Sequence, residues 1–362
     1  MIPQLEARLL RRSQAGNLRQ LRLTEPLVDF ASNDYLGLAR SPHLISEVHA
    51  AITRLDSLGS TGSRLLTGNL QTTQNLEDEI ASFHHYQAGL LFNCGYMANV
   101  GLISAVCESN DTIFFDAHIH ASMHDGIRLS RVQSFPFRHN DLSHLENRLK
   151  KCSARGRKII AIESIYSADG SESPLVDICY LAKKYEANVI VDEAHAVGVC
   201  GPNGRGLVAQ HGLINDVFAQ VITFGKALGT FGAIVLGSDT LKRTLINFAR
   251  SYMYTTALPS YAIEAIRCSY QVFPKLEAER ESIKQLIQLF KANSQQASQT
   301  HIQSIKIKGN EAVQQMSHQL ALHGFEVRSL MSPTVQRGHE VLRICLHAFN
   351  TENEVRRLLS CI

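Results

Sequence analysis

Residues 188–195 read Asn-Val-Ile-Val-Asp-Glu-Ala-His, a continuous apolar run that ends in two carboxylates and a histidine. An apolar run without polar alternation is typical of a strand buried on both faces of a parallel sheet. In open α/β sheets, ligands bind at the carboxyl ends of the strands. The stretch therefore predicts a central strand and, from Asp192 to His195, a place where a ligand can bind.

Similar apolar runs recur along the first two thirds of the chain, at residues 89–92, 112–115, 158–162, 221–224 and 233–236. Several of them are separated by stretches whose apolar residues recur every three or four positions, as in helices, at residues 120–130, 142–151 and 175–186. Strands that alternate with helices specify an α/β fold with a mostly parallel sheet covered by helices.

The pattern changes after about Leu258, where a long helical pattern runs through Gln296. Two short strands, at residues 302–306 and 341–346, then accompany helices near residues 312–323 and 351–360. These elements predict a smaller α+β C-terminal domain. We expect an N-terminal arm at 1–36, a large cofactor-binding domain at 37–272 and the small domain at 273–362.

Composition limits the classes of protein that the chain can belong to. It has 362 residues, of which 44% are hydrophobic, and 36 basic residues against 33 acidic ones leave a net charge of +3. The basic residues form no dense block, so neither nucleic acid nor a membrane surface is an expected partner. Eight scattered cysteines without a CxxC pair, and an N-terminus without a secretory signal, predict reduced thiols in a cytoplasmic protein.

One segment, residues 88–107, contains no charged residue and has the length of a membrane span. Polar and small residues interrupt it, among them Asn93, Gly95 and Asn99. Its first part is short and bounded like a buried strand. We predict a strand, a turn and a helix.

The residues that follow the apolar runs share one edge of the predicted sheet, and three of them suggest a chemistry. The amine of Lys226 can form a Schiff base with an aldehyde. The carboxylate of Asp192 can keep a heteroaromatic nitrogen protonated. Gly95, at a strand-to-helix turn, lets a phosphate approach the positive end of a helix. Lysine, aspartate and a phosphate cradle are what an enzyme supplies to pyridoxal phosphate.

Eight ordered motifs resemble the α-oxoamine synthases, pyridoxal-phosphate enzymes of the aspartate-aminotransferase fold. The motifs lie at residues 29–38, 59–69, 92–99, 118–122, 163–170, 192–195, 223–227 and 254–259. The resemblance implies that fold, a large mostly parallel sheet domain with a smaller α+β domain, and pyridoxal 5′-phosphate as the cofactor.

The resemblance also implies the roles of residues around the cofactor ring. Lys226 would hold the cofactor as a Schiff base and later remove the Cα proton of the amino-acid substrate. Asp192 would pair with the pyridine nitrogen, His195 would reach the ring hydroxyl, and His120 would stack on the ring. Ser167 would lie near the ring oxygen.

Further residues are implied at the phosphate and at a subunit boundary. Gly95 and Tyr96 would bind the phosphate through their backbone, and Thr223 through its hydroxyl. Thr255 and Thr256 would enter the site of a partner subunit. The resemblance therefore implies a homodimer with shared active sites.

The substrates follow from the same resemblance. Arg343 would bind the carboxylate of the amino acid, with Asn33 and Ser63 near the substrate. Arg19 would help to bind the acyl substrate, or else is a surface arginine. The implied reaction is an acyl transfer in which L-alanine and a pimeloyl thioester, carried by coenzyme A or a carrier protein, condense with loss of carbon dioxide. Glycine or serine with another acyl donor stays an alternative.

Two segments depart from the family pattern. Phe231 is bulky where relatives carry a small or polar residue, and residues 300–304 replace a serine-rich segment. Both departures bear on recognition of the acyl chain more than on cofactor chemistry.

Two alternatives concern the class of protein. His118, His120 and His124 could offer three imidazoles to a metal ion, although we expect no metal. A non-catalytic subunit of the same family is the other alternative, and it is disfavoured because such subunits lack the Schiff-base lysine that Lys226 supplies.

Overall fold

The structure is a computed structural model that describes residues 3–21, 23, 26–152 and 155–362. It divides into two compact units. The small unit comprises Met1–Tyr35, Ser167–Ser171 and Glu281–Ile362, and the large unit comprises Leu36–Tyr166 and Glu172–Arg280. The division into 1–36, 37–272 and 273–362 stays a prediction.

A seven-stranded sheet forms the centre of the large unit. In chain order its strands are β2 (Ala88–Phe92), β3 (Thr112–Asp116), β4 (Gln133–Phe137), β5 (Lys158–Glu163), β6 (Ala187–Asp192), β7 (Ala219–Thr223) and β8 (Ala233–Gly237). Their spatial order is β2-β8-β7-β6-β5-β3-β4. Six of these strands run in the same direction, and β8 runs in the opposite direction between β2 and β7. The predicted α/β fold with a mostly parallel sheet is confirmed.

Helices separate these strands along the chain. The helices of the large unit are α2 (Pro42–Ile52), α3 (Gln71–Phe83), α4 (Gly95–Val106), α5 (Ala121–Ser130), α6 (Leu142–Lys150), α7 (Leu175–Lys184), α8 (Leu207–Gln210), α9 (Asp239–Phe248), α10 (Arg250–Met253) and α11 (Ser260–Val272). Short 3₁₀ turns lie at Leu38–Arg40, Pro202–Gly204 and Phe273–Lys275. The charge-free segment forms β2 and α4, as predicted. Within the described part of the chain, no helix is both long and apolar enough to cross a membrane.

The small unit contains the remaining elements. Its strands are β1 (Val28–Asp29), β9 (Ile302–Lys306), β10 (Phe325–Glu326), β11 (Arg328–Leu330) and β12 (Val341–Cys345). Its helices are α1 (Pro3–Gln14), most of α12 (Glu277–Asn293), α13 (Asn310–Leu322) and α14 (Glu352–Leu359). An antiparallel sheet of order β11-β12-β9 and a parallel β1-β10 pair line a core that includes Phe290, Phe325 and Leu342.

The strand β4 has no counterpart among the predicted strands. Its sequence, Gln-Ser-Phe-Pro-Phe, mixes polar residues with Pro136, and most of it is not buried. It lies at the edge of the sheet and pairs only with β3. Proline and polar residues are tolerated there because one side of an edge strand needs no partner, and the same composition hides the strand from a search for apolar runs.

Side chains satisfy the first backbone N–H groups of several helices. Ser41, Asp141, Ser238 and Thr351 each accept a hydrogen bond in the first turn of α2, α6, α9 and α14, respectively. The helix α4 begins differently, because Cys94 at its start makes no such side-chain bond. The N-terminal end of α4 is therefore left without a cap from its own sequence.

A fully buried carboxylate ties the other edge of the sheet to its helices. Glu77 of α3 accepts hydrogen bonds from Arg64 at 2.7 Å and from the backbone N–H of Leu91 in β2 at 3.0 Å. The amine of Lys242 in α9 lies 3.1 Å from its other oxygen. A buried charge is tolerated when it is paired and hydrogen-bonded in this way.

We expect Glu77→Gln to lower the free energy of unfolding by about 3 kcal/mol, because it leaves Arg64 and Lys242 without their buried anion. Glu79→Gln is the matched control, since the pair of Glu79 with Arg267 is partly exposed and a surface pair contributes less than about 1 kcal/mol. Urea denaturation of both variants measures the difference. Equal losses of stability would contradict the role given to Glu77.

Candidate active site

The carboxyl ends of β6 and β7 bring a lysine and a histidine together. His195 lies in the turn after β6 and Lys226 in the turn after β7, and Lys226 Nζ is 2.8 Å from His195 Nε2. His195 is buried and Lys226 is half-buried. Because β6 and β7 are parallel neighbours, the residues that follow them meet at one edge of the sheet, as predicted.

Asp192, the last residue of β6, is buried beside them. Its Oδ1 accepts a hydrogen bond from the backbone N–H of Ala194 at 2.9 Å. Its Oδ2 accepts one from Asn99 Nδ2 of α4 at 2.7 Å. No role was predicted for Asn99, although an amide side chain in a mostly apolar helix was a signal for one.

His120 lies immediately before α5 and keeps an exposed surface. Its Nδ1 is 3.2 Å from the backbone nitrogen and 2.7 Å from the hydroxyl oxygen of Ser122. Partial burial of the ring lowers the pKa of His120, the charge of Asp192 opposes this effect, and the charge of Lys226 adds to it. The imidazole ring is thus held by Ser122 at one nitrogen.

The start of α4 can accept a phosphate. The helix begins at Gly95 without a side-chain cap, so its first N–H groups can bind an anion at the positive end of the helix. A Cβ atom at Gly95 would collide with the methyl group of Thr223, so only glycine fits here. The Thr223 hydroxyl lies at the same place, 3.5 Å from the carbonyl oxygen of Ala194.

Lysine, aspartate, histidine and the uncapped helix start suit pyridoxal phosphate. Lys226 offers an amine for an aldehyde, and Asp192 offers a carboxylate for a ring nitrogen. Tyr96 follows Gly95 with an exposed side chain that hydrogen-bonds to Asp125, so its backbone is the part that α4 presents to a phosphate.

The two threonines predicted to enter a partner's site lie in a segment anchored to β2. Asn93, just after β2, donates a hydrogen bond to the carbonyl oxygen of Thr256 at 2.9 Å and lies 3.5 Å from the Thr255 hydroxyl. Thr256 is exposed and Thr255 is half-buried. Ala257, which follows Thr256, donates its backbone N–H to the carbonyl oxygen of Gly62. Ser63 is half-buried and comes directly after Gly62, so it lies beside the same segment.

Four predicted residues lie in the small unit, and three of them form one cluster. The Arg343 guanidinium donates to the carbonyl oxygen of Ser167 at 2.6 Å and to Asn33 Oδ1 at 3.0 Å. The fully buried Tyr35 donates its hydroxyl proton to the same Asn33 oxygen at 2.9 Å. No role was predicted for Tyr35, although it follows Asn33 by two residues in the motif at residues 29–38.

Arg19 stands apart from that cluster. It is exposed, and its guanidinium donates to the Thr334 hydroxyl at 2.9 Å. A pocket lined by Arg12, Asn17, Arg19 and residues 329–334 adjoins it.

The three histidines considered as metal ligands have different partners. The His118 ring stacks on His139 with centroids 4.0 Å apart, His120 binds Ser122, and His124 lies edge-on to Phe115 at 5.3 Å. Their divergence gives no support to a site formed by these three rings.

Both departures from the family pattern are visible in the structure. Phe231 exposes 59% of its surface. In the segment 300–304, the Thr300 hydroxyl donates to Gly170 O at 2.8 Å, and the buried Gln303 side chain bonds to the backbone of Ser298 and Thr300.

Comparisons with known proteins agree with this arrangement. The family model for aminotransferase class I and II matches residues 25–362, and the chain belongs to that family. The 8-amino-7-oxononanoate synthase of Saccharophagus degradans is 39% identical over 346 residues, which cover 94% of this chain and 87% of that protein.

Solved structures extend the comparison to the fold. Serine palmitoyltransferase of Sphingomonas wittichii superposes with a TM-score of 0.89 at 26% identity, over 99% of this chain and 95% of that one. The 8-amino-7-oxononanoate synthase of Francisella tularensis gives a TM-score of 0.80 at 29% identity, over 92% and 96%. The resemblance to the α-oxoamine synthases and the predicted fold class are confirmed.

We expect Gly95→Ala to weaken binding of pyridoxal phosphate about tenfold or more, because the new methyl group meets the Thr223 methyl group at the phosphate end of the site. Thr223→Ser removes that methyl group and keeps the hydroxyl. The double variant should therefore regain most of the lost affinity, measured by titrating the cofactor into cofactor-free protein. If Thr223→Ser gave no recovery, the collision would not be the cause.

Proposed function

We propose that this chain condenses L-alanine with a pimeloyl thioester to give 8-amino-7-oxononanoate, carbon dioxide and a free thiol, a step of biotin biosynthesis. The cofactor is pyridoxal 5′-phosphate and the enzyme is an acyltransferase. The observation that carries the proposal is the contact of Lys226 with His195 beside the buried Asp192, in a chain whose relative of that name is similar over nearly its whole length.

Pyridoxal phosphate, when bound, supplies an aldehyde that captures amines and a protonated ring that withdraws electrons from Cα. Asp192 would hold the proton of the ring nitrogen, and its own hydrogen bonds from Asn99 and Ala194 keep the carboxylate oriented. Lys226 would hold the cofactor and then act as the base that removes the Cα proton of alanine. His195, 2.8 Å from Lys226 Nζ, would reach the ring hydroxyl and orient the amine.

The atoms of the reaction balance when one proton is taken from water, since the released thiol and the product Cα each need a proton and the alanine Cα supplies only one. A bond forms between Cα of alanine and the carbonyl carbon of the thioester, and the C–S bond breaks to release the thiol. The alanine carboxylate then leaves as carbon dioxide, and a proton returns to Cα. Orientation of these groups is the contribution that the protein makes to the rate.

Substrate roles are proposed for a small set of residues, each on the basis of its own surroundings and the family resemblance. Arg343 binds the alanine carboxylate, since a guanidinium fork matches the two carboxylate oxygens, and Asn33 assists it. Ser167 would lie near the oxygen of the cofactor ring and Ser63 near the substrate. Arg19 helps to bind the acyl substrate, and the adjoining pocket supports this role.

The working form is proposed to be a homodimer in which Thr255 and Thr256 of one subunit enter the cofactor site of its partner. The exposed Thr256 and the hydrogen bonds that anchor its segment to Asn93 support this role. The cytoplasm is the proposed location, on the ground that the eight cysteines form no disulfide within the described residues.

We expect only L-alanine to give a new visible absorbance band when it is added to the holoenzyme together with pimeloyl-CoA or a pimeloyl carrier protein. Glycine and serine, each with its own acyl thioester, are the comparison arms. Serine palmitoyltransferase is a close structural neighbour, so a response to serine alone would replace the proposed activity and leave the family assignment intact.

We expect Lys226→Ala to lose the visible absorbance of the lysine-bound cofactor and all measurable turnover, because no other amine occupies this position. Lys183→Ala, an exposed change in α7, is the control and should keep both. Absorbance spectra and product formation measure the outcome. A Lys226 variant that retained the band and turned over would contradict the assignment.

A further inference from the structure

A continuous chain of hydrogen bonds joins Asp192 to His120 through two buried side chains. Asn99 Nδ2 lies 2.7 Å from Asp192 Oδ2 and 3.0 Å from Ser122 Oγ. Ser122 Oγ in turn lies 2.7 Å from His120 Nδ1. Asn99 and Ser122 are buried, at 1% and 0% exposure, so water cannot take the place of either partner.

The direction of each bond in this chain is determined by the carboxylate at its end. A carboxylate only accepts hydrogen bonds, so the amide nitrogen of Asn99 must face Asp192. The same nitrogen also donates to Ser122, and both of its hydrogens are then used. The other orientation of the amide would turn Asn99 Oδ1 toward the carboxylate and create a repulsive contact. In the observed orientation that oxygen is buried and has no partner among the described residues.

The donor direction continues through Ser122 to the imidazole. The Ser122 hydroxyl accepts from Asn99, so its own proton is available for His120 Nδ1. The backbone N–H of Ser122 also points at Nδ1, at 3.2 Å. A nitrogen that receives two donors cannot carry a proton, and the proton of the neutral ring must therefore be on Nε2.

We propose that Asn99 and Ser122 are positioning residues that fix His120 as the neutral tautomer with its proton on Nε2. Because Asp192 only accepts hydrogen bonds, Asn99 donates to it and to Ser122, and Ser122 donates to His120 Nδ1. The lowered pKa of His120, caused first by its removal from water, agrees with a neutral ring.

The neutral tautomer of His120 affects the charge that surrounds the cofactor, a consequence that rests on the proposed function. A protonated pyridine nitrogen paired with Asp192 carries a positive charge, and a charged imidazolium at His120 would repel it. A neutral imidazole avoids the repulsion and presents an N–H donor at Nε2. The tautomer itself depends only on residues of this chain and is independent of which amino acid or thioester the enzyme uses.

The test is ¹⁵N spectroscopy of the full chain labelled at histidine, recorded without and with pyridoxal phosphate. His120→Gln removes one of the 16 histidine signals and so assigns His120. We expect the wild-type ring to show an unprotonated Nδ1 and a protonated Nε2 near neutral pH. A protonated Nδ1 at the signal that His120→Gln removes would overturn the proposal.

Two variants test the chain itself. Ser122→Ala and Asn99→Ala should each convert the single tautomer into a mixture and weaken cofactor affinity roughly 5- to 10-fold, the value of about one hydrogen bond. Ser130→Ala is the matched control, since the Ser130 hydroxyl bonds to Ile127 O and to the Val132 N–H and takes no part in the chain from Asp192 to His120, and it should change neither property. A single Nε2-protonated tautomer in both variants would show that Asn99 and Ser122 do not set it, whatever the activity of the enzyme.

Discussion

Burial of the Asp192 carboxylate is the constraint on which the candidate site depends. A buried charge costs several kcal/mol unless hydrogen-bond donors replace its water shell. Two donors do so for Asp192, the Ala194 N–H and the Asn99 amide. The first fixes the turn after β6, which carries His195, and the second fixes α4 against β6. Because α4 begins at Gly95, the bond that holds Asp192 also determines where the uncapped helix start can lie.

The adjacent carboxylates of Asp192 and Glu193 have different roles, one in the candidate site and the other in the structure of the loop. Glu193 is also buried, but it accepts the N–H groups of Leu207 and Val208 at the start of α8 and a bond from Gln220. Burial raises the pKa of Glu193 to about 7, so this carboxyl can bind a proton near neutral pH, and both of its oxygens accept hydrogen bonds from the loop and from β7. Glu193 thus serves the structure of the loop, and Asp192 is the anion available to a ligand.

The sequence was sufficient wherever a single element decides the outcome. Apolar runs identified six strands of the central sheet, and the rule for strand ends identified Asp192, His195 and Lys226. The sequence was insufficient where a side chain's role depends on a contact between two elements that are distant along the chain. Asn99 acquires its role only because α4 packs beside the end of β6, and Tyr35 only because it meets Arg343. Neither partner can be read from local spacing, since packing between elements chooses it.

Charge in the site follows from the short contact between Lys226 and His195. Two basic nitrogens 2.8 Å apart form a hydrogen bond only when one of them donates and the other accepts, so the pair carries at most one positive charge. His120 contributes no charge when its Nδ1 receives two donors. The three basic side chains near Asp192 therefore carry at most one positive charge between them. A nearly neutral site keeps the lysine amine within reach of the free-base form that Schiff-base chemistry requires, and it leaves the carboxylate as the group that a cationic ring nitrogen would pair with.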